Sequence, residues 1–579
     1  DKLTSDFDAT LTDTNNALIS NGFTFQNIET ADLNTNSLKG SGRADTFVLA
    51  TVDNATQLKA NDIVFEDINT TIDAGANGAG SDKLTSDFDA TLAGASKALI
   101  SEGFTFQNIE TADLNTNSLK GSDSADTFVL ATVDNATQLK ANDIVFEDLN
   151  STIDAGDNVT GLDKLTSDFD ATLTDASKAL ISKGFTFQNI ETADLNTKTL
   201  TGSGSADTFV LATVDKATQL KANDIVFNNI NTTIDAGANG MESDKLTSTF
   251  DASLTSENNE VSSSGYLFQG IEETVLADGT LTGTTAAETF TVAGSKAVGV
   301  YGIDFKGVTT VVAGTATDVI DTVDTNGTDA ALDVVNNQLI ASDITFKEIE
   351  KADFAGDNAN GTLTGSANSD SFVVNADGLK ANEIVVTGLK TSADGIATIN
   401  ALGNAAGVDK LTSTFDASLT SENNEVSSSG YLFQGIEETV LADGTLTGTT
   451  ATETFTVAGS KAVGVNAIDF KGVTTVVAGT ATDVTDTVDT NGTAAALNGN
   501  NYELVVSDIT FKEIESADLA STTIKGTLTG TEEAEDFVVG SSVNELVVNA
   551  INFTGVDTVV AGTKSGAIDT LDTQGNSAR

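Results

Sequence analysis

The side chains able to do chemistry are few in kind and repeated in register. The chain has no His and no Cys. The commonest catalytic bases, thiol nucleophiles and soft metal ligands are therefore absent. Carboxylates remain. Asp45, Asp126, Asp207, Glu288, Asp370, Glu453 and Glu535 each stand inside a version of one motif. It reads "LKGSGRADTFVL" from Leu38, "LKGSDSADTFVL" from Leu119 and "LTGSGSADTFVL" from Leu200. It returns as "LTGTTAAETFTV" from Leu281, "LTGSANSDSFVV" from Leu363, "LTGTTATETFTV" from Leu446 and "LTGTEEAEDFVV" from Leu528. A pair of carboxylates can serve as acid and base in cleaving a polysaccharide. Such a site sits at one place on irregular loops. Equivalent acids in every repeat point to a structural role, so the chain reads as no enzyme and no catalytic residue is assigned.

The same stretch resembles a fragment of the glycine- and aspartate-rich calcium nonapeptide. "GAGSDKL" from Gly78 fits G-x-G-x-D-x-L, and "GSGSADTF" from Gly202 has one extra residue before its Asp. The resemblance implies oxygen ligands supplied by successive turns. Here the motifs stand singly, and "GSDSADTF" and "GTTAAETF" lack the Gly at the third position. The turn reading is preferred. Gly is expected to supply a positive φ at a corner, and the acid to cap the turn by accepting backbone N–H bonds. No metal site is assigned; the weak calcium candidates are Asp73, Asp82, Asp154 and Asp163. Calcium is the one cofactor the sequence admits.

These motifs belong to a long repeat. "DKLTS" opens at Asp1, Asp82, Asp163 and Asp244, three steps of 81, and again at Asp409, where 409 − 244 = 165 is about two steps. "DTVDTNGT" at Asp321 and Asp486 fills the gaps. The units are 1–81, 82–162, 163–243, 244–320, 321–408, 409–485 and 486–568, with a partial unit 569–579. Residues 244–328 match 409–493 except at Ala287/Thr452, Tyr301/Asn466, Gly302/Ala467 and Ile320/Thr485, so this block was duplicated. Asp1 falls inside a repeat and "IDTLDTQGNSAR" begins another, so the sequence reads as a segment of a longer array.

Each unit holds a shorter repeat, apolar–x–Phe–x–x–Ile. Its third position falls at Phe25, Phe65, Phe106, Phe146, Phe187, Phe227, Phe268, Phe305, Phe346, Val386, Phe433, Phe470, Phe511 and Phe553. "DTFVLATV" and "DKLTSDFDATL" lie between, giving a strand-like segment about every 20 residues. Val, Ile, Thr and Phe fill these segments, and Gly, Asn and Asp bound them. "DASKALIS" at 175–182 has loose apolar spacing and reads as loop or distorted strand. The fold expected is all-β: a parallel β-helix, or β-solenoid, of about 20 residues per coil. Each coil completes its core only by stacking on its neighbours. At ~4.8 Å per coil the chain would make a rod of roughly 140 Å. The absence of Pro fits strands that all have neighbours. Tandem immunoglobulin-like β-sandwiches of 81 residues are the alternative. The missing Trp, the missing linkers and the half-repeat count against them.

Net charge is 28 − 85 = −57. Nucleic acid and anionic membrane require Lys and Arg and are excluded as partners. No apolar run is long enough to span a membrane, so no membrane insertion is expected in this segment. Millimolar calcium is expected to bring acidic chains together laterally more than sodium does. "LTGTTAAETFTV", "GIDFKGVTTVVAG" and "AINFTGVDTVVAG" resemble repeats of large secreted bacterial adhesins, the filamentous-haemagglutinin-like two-partner-secreted proteins and biofilm-matrix adhesins. That resemblance implies a right-handed β-helix stalk, extracellular at the cell surface. It would serve adhesion or cell–cell aggregation, with other cells, matrix polysaccharide or copies of itself as partners. The alternatives are a self-assembling subunit of a surface filament or matrix fibre, and a polysaccharide-active β-helix enzyme.

Overall fold

The computed structural model describes residues 1–579 except 77–79, 158–160, 238–241, 315, 317, 336, 358, 403–406, 482, 500–501, 524–525 and 576–579. The described residues are all-β, with no helix among them. The chain packs as two compact units. One comprises Asp1–Gly279 with Tyr301–Gly307, the other Thr280–Val300 with Val308–Arg579.

In the first unit the strands form two ladders, and the repeat 82–162 shows how. On the first ladder Lys83–Ser86 pairs in parallel with Thr46–Val52 on one side and Thr111–Asp113 on the other. Thr111–Asp113 pairs in parallel with Ile144–Glu147. The chain then turns back, and Ala136–Ala141 and Thr127–Val133 add antiparallel. Thr127–Val133 finally pairs in parallel with Lys164–Ser167 of the next repeat, Phe128 opposite Leu165. On the second ladder Leu119–Lys120, Thr152–Asp154 and Phe185–Gln188 run in parallel. Leu180–Ser182 and Ala171–Leu173 follow antiparallel, and Leu200–Thr201 resumes the parallel run. Each ladder thus gains five strands per 81 residues and returns to its starting register.

This is a β-solenoid. Strand-rich segments recur about every 20 residues, as expected, because one short strand and its turn span that length. Immunoglobulin-like sandwiches would close their sheets within each repeat. Here the ladder hydrogen bonds cross from one repeat to the next. The antiparallel hairpins are an addition to the expected parallel stack. "DASKALIS" contributes one of their strands, Leu180–Ser182. Tight turns make the hairpins. Asp134–Asn135 joins Thr127–Val133 to Ala136–Ala141, and Asn142–Asp143 joins the latter to Ile144–Glu147. All four turn residues have positive φ, from 43° to 70°. Two-residue hairpin loops demand this backbone, and Asn and Asp tolerate it.

The core lies between the ladders. Phe128 of the first meets Phe187 of the second at 6.0 Å between ring centroids, and Phe47–Phe106 and Phe209–Phe268 repeat the contact. The second unit does the same with Phe372–Phe433 and Phe455–Phe511. All the repeated apolar positions from Phe65 to Phe553 are buried, and Phe25 alone is half-exposed. Each fully buried ring contributes roughly 2–3 kcal/mol. One ring pair per repeat therefore ties the two ladders together.

Candidate functional site

The polar groups of interest are the carboxylates of the repeated corner. After Leu119–Lys120 the chain turns at Gly121-Ser122, and Asp126 folds back beneath the turn, fully buried. Its Oδ2 accepts the Ser122 N–H at 2.6 Å, and its Oδ1 accepts the Ser122 hydroxyl at 3.2 Å. Asn142 Nδ2 also donates to it, while the Asn142 carbonyl oxygen accepts the Thr127 N–H at 2.9 Å. The capping role expected of the acid is the one it has.

The cap is one member of a column. The Asp126 N–H donates to Asp163 Oδ1 at 2.8 Å, and the Asp163 N–H donates to Glu191 Oε2 at 2.9 Å. Lys178 Nζ closes the end on Glu191 Oε1 at 2.8 Å. One repeat earlier the same chain of contacts runs Ser41, Asp45, Asp82, Glu110 and Lys97. In the second unit it runs Thr449, Glu453, Asp486 and Glu515, at 2.8, 2.8 and 2.9 Å. There Tyr502 stands where Lys178 stands in the first unit. Three acids per repeat thus use backbone amides as their hydrogen-bond partners, as buried anions must.

Burial dominates their titration. It pushes Asp207 above the usual range, against the Ser203 amide and Asn223. It pushes Asp321 and Asp486 up to about 6, helped by the neighbouring carboxylates Glu288 and Glu350, and Glu453 and Glu515. On the surface the opposite occurs. Lys245 and Lys306 flank Glu273, and their hydrogen bonds hold it below the usual range.

The corner glycine corrects one expectation. Gly121 does not have a positive φ. A Cβ there would lie 1.8 Å from the Ala155 carbonyl oxygen and 2.7 Å from Asp126 Oδ2. The glycine is required for space, because the next strand of the ladder passes directly against it. A second regularity went unread in the sequence. Where the cap is Asp, the corner hydroxyl is Ser (41, 122, 203, 366); where it is Glu, the hydroxyl is Thr (284, 449, 531). The two side chains touch in each case, so they vary together.

The calcium candidates divide into two pairs. Asp82 and Asp163 are fully buried column members. Asp73 and Asp154 end their strands, and each Oδ1 accepts a glycine N–H at 3.0 Å and an Asn Nδ2 at 2.6 Å. A cation on these oxygens would displace N–H donors that hold the turn. Among the described residues, no three acidic side chains converge as a metal shell would require. Gly78 of the calcium-like fragment lies outside the described residues. A shallow polar groove recurs on the surface at 81-residue intervals, lined by Ser96, Thr127, Lys140 and Asp143 and again by Ser177, Thr208, Lys221 and Asp224. Among the described residues no helix is long and apolar enough to cross a membrane.

No known protein-family model matches this chain. Nor does any curated protein match it.

Proposed function

We propose that the chain is an extracellular fibrous stalk of a bacterial surface or biofilm-matrix adhesin, serving adhesion or cell–cell aggregation. The observation that carries this reading is the use made of the repeated acids. Each caps a corner or joins a column, so the sequence spends its polar chemistry on propagating the ladder. A non-enzymatic role follows, with residues held in common by every repeat. Remaining surface acidity keeps the chain hydrated. It also offers carboxylates through which calcium can bridge two chains.

The test is to display the chain on a bacterium that does not aggregate, and to measure aggregation against repeat number. A graded loss on removing residues 82–162, and a further loss on removing 82–243, is expected. Aggregation that ignores the repeats would overturn the reading. So would polysaccharide cleavage abolished by one carboxylate substitution. Light scattering in calcium against sodium at matched ionic strength checks the bridging, and equal curves would remove calcium from the account.

A further inference from the structure

The two ladders have free edges that match each other. In the first unit Phe23–Gln26 pairs only with Ala17–Ser20 among the described residues. Its counterparts Phe104–Gln107 and Phe185–Gln188 are covered on the other side by Thr71–Asp73 and Thr152–Asp154. The effect on burial is direct. Phe106 and Phe187 are fully buried, whereas Phe25 is half-exposed and Phe23 is 65% exposed. The second unit carries the complementary edge. Val556–Val560 pairs with Gly526–Thr529, as Thr71–Asp73 pairs with Leu38–Lys39. Val559 is 42% exposed, while its counterparts Ile72, Ile153 and Ile234 are fully buried.

We propose that a second copy of this chain docks head to tail, its Phe23–Gln26 completing the ladder on Val556–Val560. The register follows from the interior contacts. Ile72 lies opposite Phe106 and Asp73 opposite Gln107, so Val559 meets Phe25 of the second copy and Val560 meets Gln26. Inside the molecule the Thr105 N–H donates to the Thr70 carbonyl, and the Ala74 N–H to the Gln107 carbonyl. The Thr24 N–H of the second copy therefore donates to the carbonyl before Thr558, and the Ala561 N–H to the second copy's Gln26 carbonyl. The contact buries apolar side chains and pairs an open strand edge, which is otherwise a template for uncontrolled association.

On the other ladder the two copies overlap by one strand. Thr570–Asp572 pairs with Asp536–Val539 as Lys83–Ser86 pairs with Thr46–Val52. Lys2–Thr4 of the second copy has the same register, since it pairs with Thr30–Asp32 as Lys83–Ser86 does with Thr111–Asp113. It displaces Thr570–Asp572, whose residues are all exposed. Its Asp1 then accepts the Glu535 N–H that Asp569 now accepts. The contact is heterologous, so it propagates into an open string rather than closing as a dimer. It requires no adhesive role.

Sedimentation velocity over a concentration series tests this with the 579-residue chain. Multiples of the chain mass should appear as concentration rises. Thr24→Pro removes the donor on one edge, and Val559→Lys places a charge on the other. Each variant alone should lose association at least tenfold. Mixed together they should form a dimer and nothing larger, because each retains one intact edge. Circular dichroism and the mixing result together show that the variants are folded. A chain lacking residues 565–579 should associate more tightly than the parent. A parent that stays monomeric, single variants that still assemble, a mixture that stays monomeric, or a truncated chain that associates less would each overturn the proposal.

Discussion

At the corner, the roles of Gly121 and Asp126 are set by neighbours far away in sequence. Gly121→Ala forces a Cβ into the Ala155 carbonyl, and overpacking of this kind costs about 1–3 kcal/mol. Gly204→Ala meets nothing within 4 Å and has no positive φ to lose. Thermal unfolding should show a clear fall for the first and none for the second; equal midpoints would mean that the ladder does not press on the corner. The buried acids predict a pH effect of definite sign. Asp486 titrates at about 6 in the fold and at about 3.9 in an unfolded chain. The fold therefore favours its protonated form. That contribution is complete below about pH 4 and is lost as pH rises through about 6. The second unit should melt higher at pH 5 than at pH 7. Asp486→Asn keeps an oxygen for the Glu453 N–H and removes the charge, so it should raise the midpoint at pH 7 and flatten the profile. A variant less stable than the parent at pH 7 would assign the column a different protonation. Glu273, held low by its lysines, acts in the other direction and in another window, losing its contribution only as pH falls below the ordinary carboxylate range.

At the scale of strands, the apolar–x–Phe register was legible from sequence alone, because burial selects Phe at a fixed place in every rung. Phe146 is 5% exposed between Ala112 and Leu139 on its ladder. Phe146→Asp should cost at least ~3 kcal/mol, since it removes a ring and buries an unpaired charge. Val133→Asp, at a 43% exposed hairpin end, is the control and should leave the melt unchanged. Parent-like melting of the Phe146 variant would shift the register by one residue. The hairpins were not legible. "DASKALIS" lacks strict alternation because its short strand is bounded by a turn on each side, and periodicity needs a longer run. The corner glycine was recognised as a corner but assigned the wrong reason. Its constraint comes from Ala155, 155 − 121 = 34 residues away, and no local spacing reveals that partner. The column likewise joins residues such as Asp126 and Asp163, 37 apart. Local patterns give the strands; the ladder offsets of 28, 34 and 37 residues emerge only in the fold.

For the molecule as a whole, charge opposes association. A net charge of −57 repels a second copy at any approach. Added salt screens that repulsion over about 8 Å at physiological ionic strength. Head-to-tail strings should therefore lengthen as sodium chloride rises from low concentration toward 0.15 M on the order of physiological strength. Dynamic light scattering would register the growth. Strings that dissolve on adding salt would mean that ion pairs, rather than strand edges and apolar contacts, hold the copies together.

The return of both ladders to their starting register after 81 residues also has a genetic consequence. Recombination between similar repeats adds or removes whole units of DNA, and each exchange joins a strand edge to one it already fits. Copy number can drift without any compensating change in the flanking units. The near-identity of 244–328 and 409–493 is the record of one such event. A protein built this way evolves its length as a single heritable variable, independent of the chemistry of any one repeat.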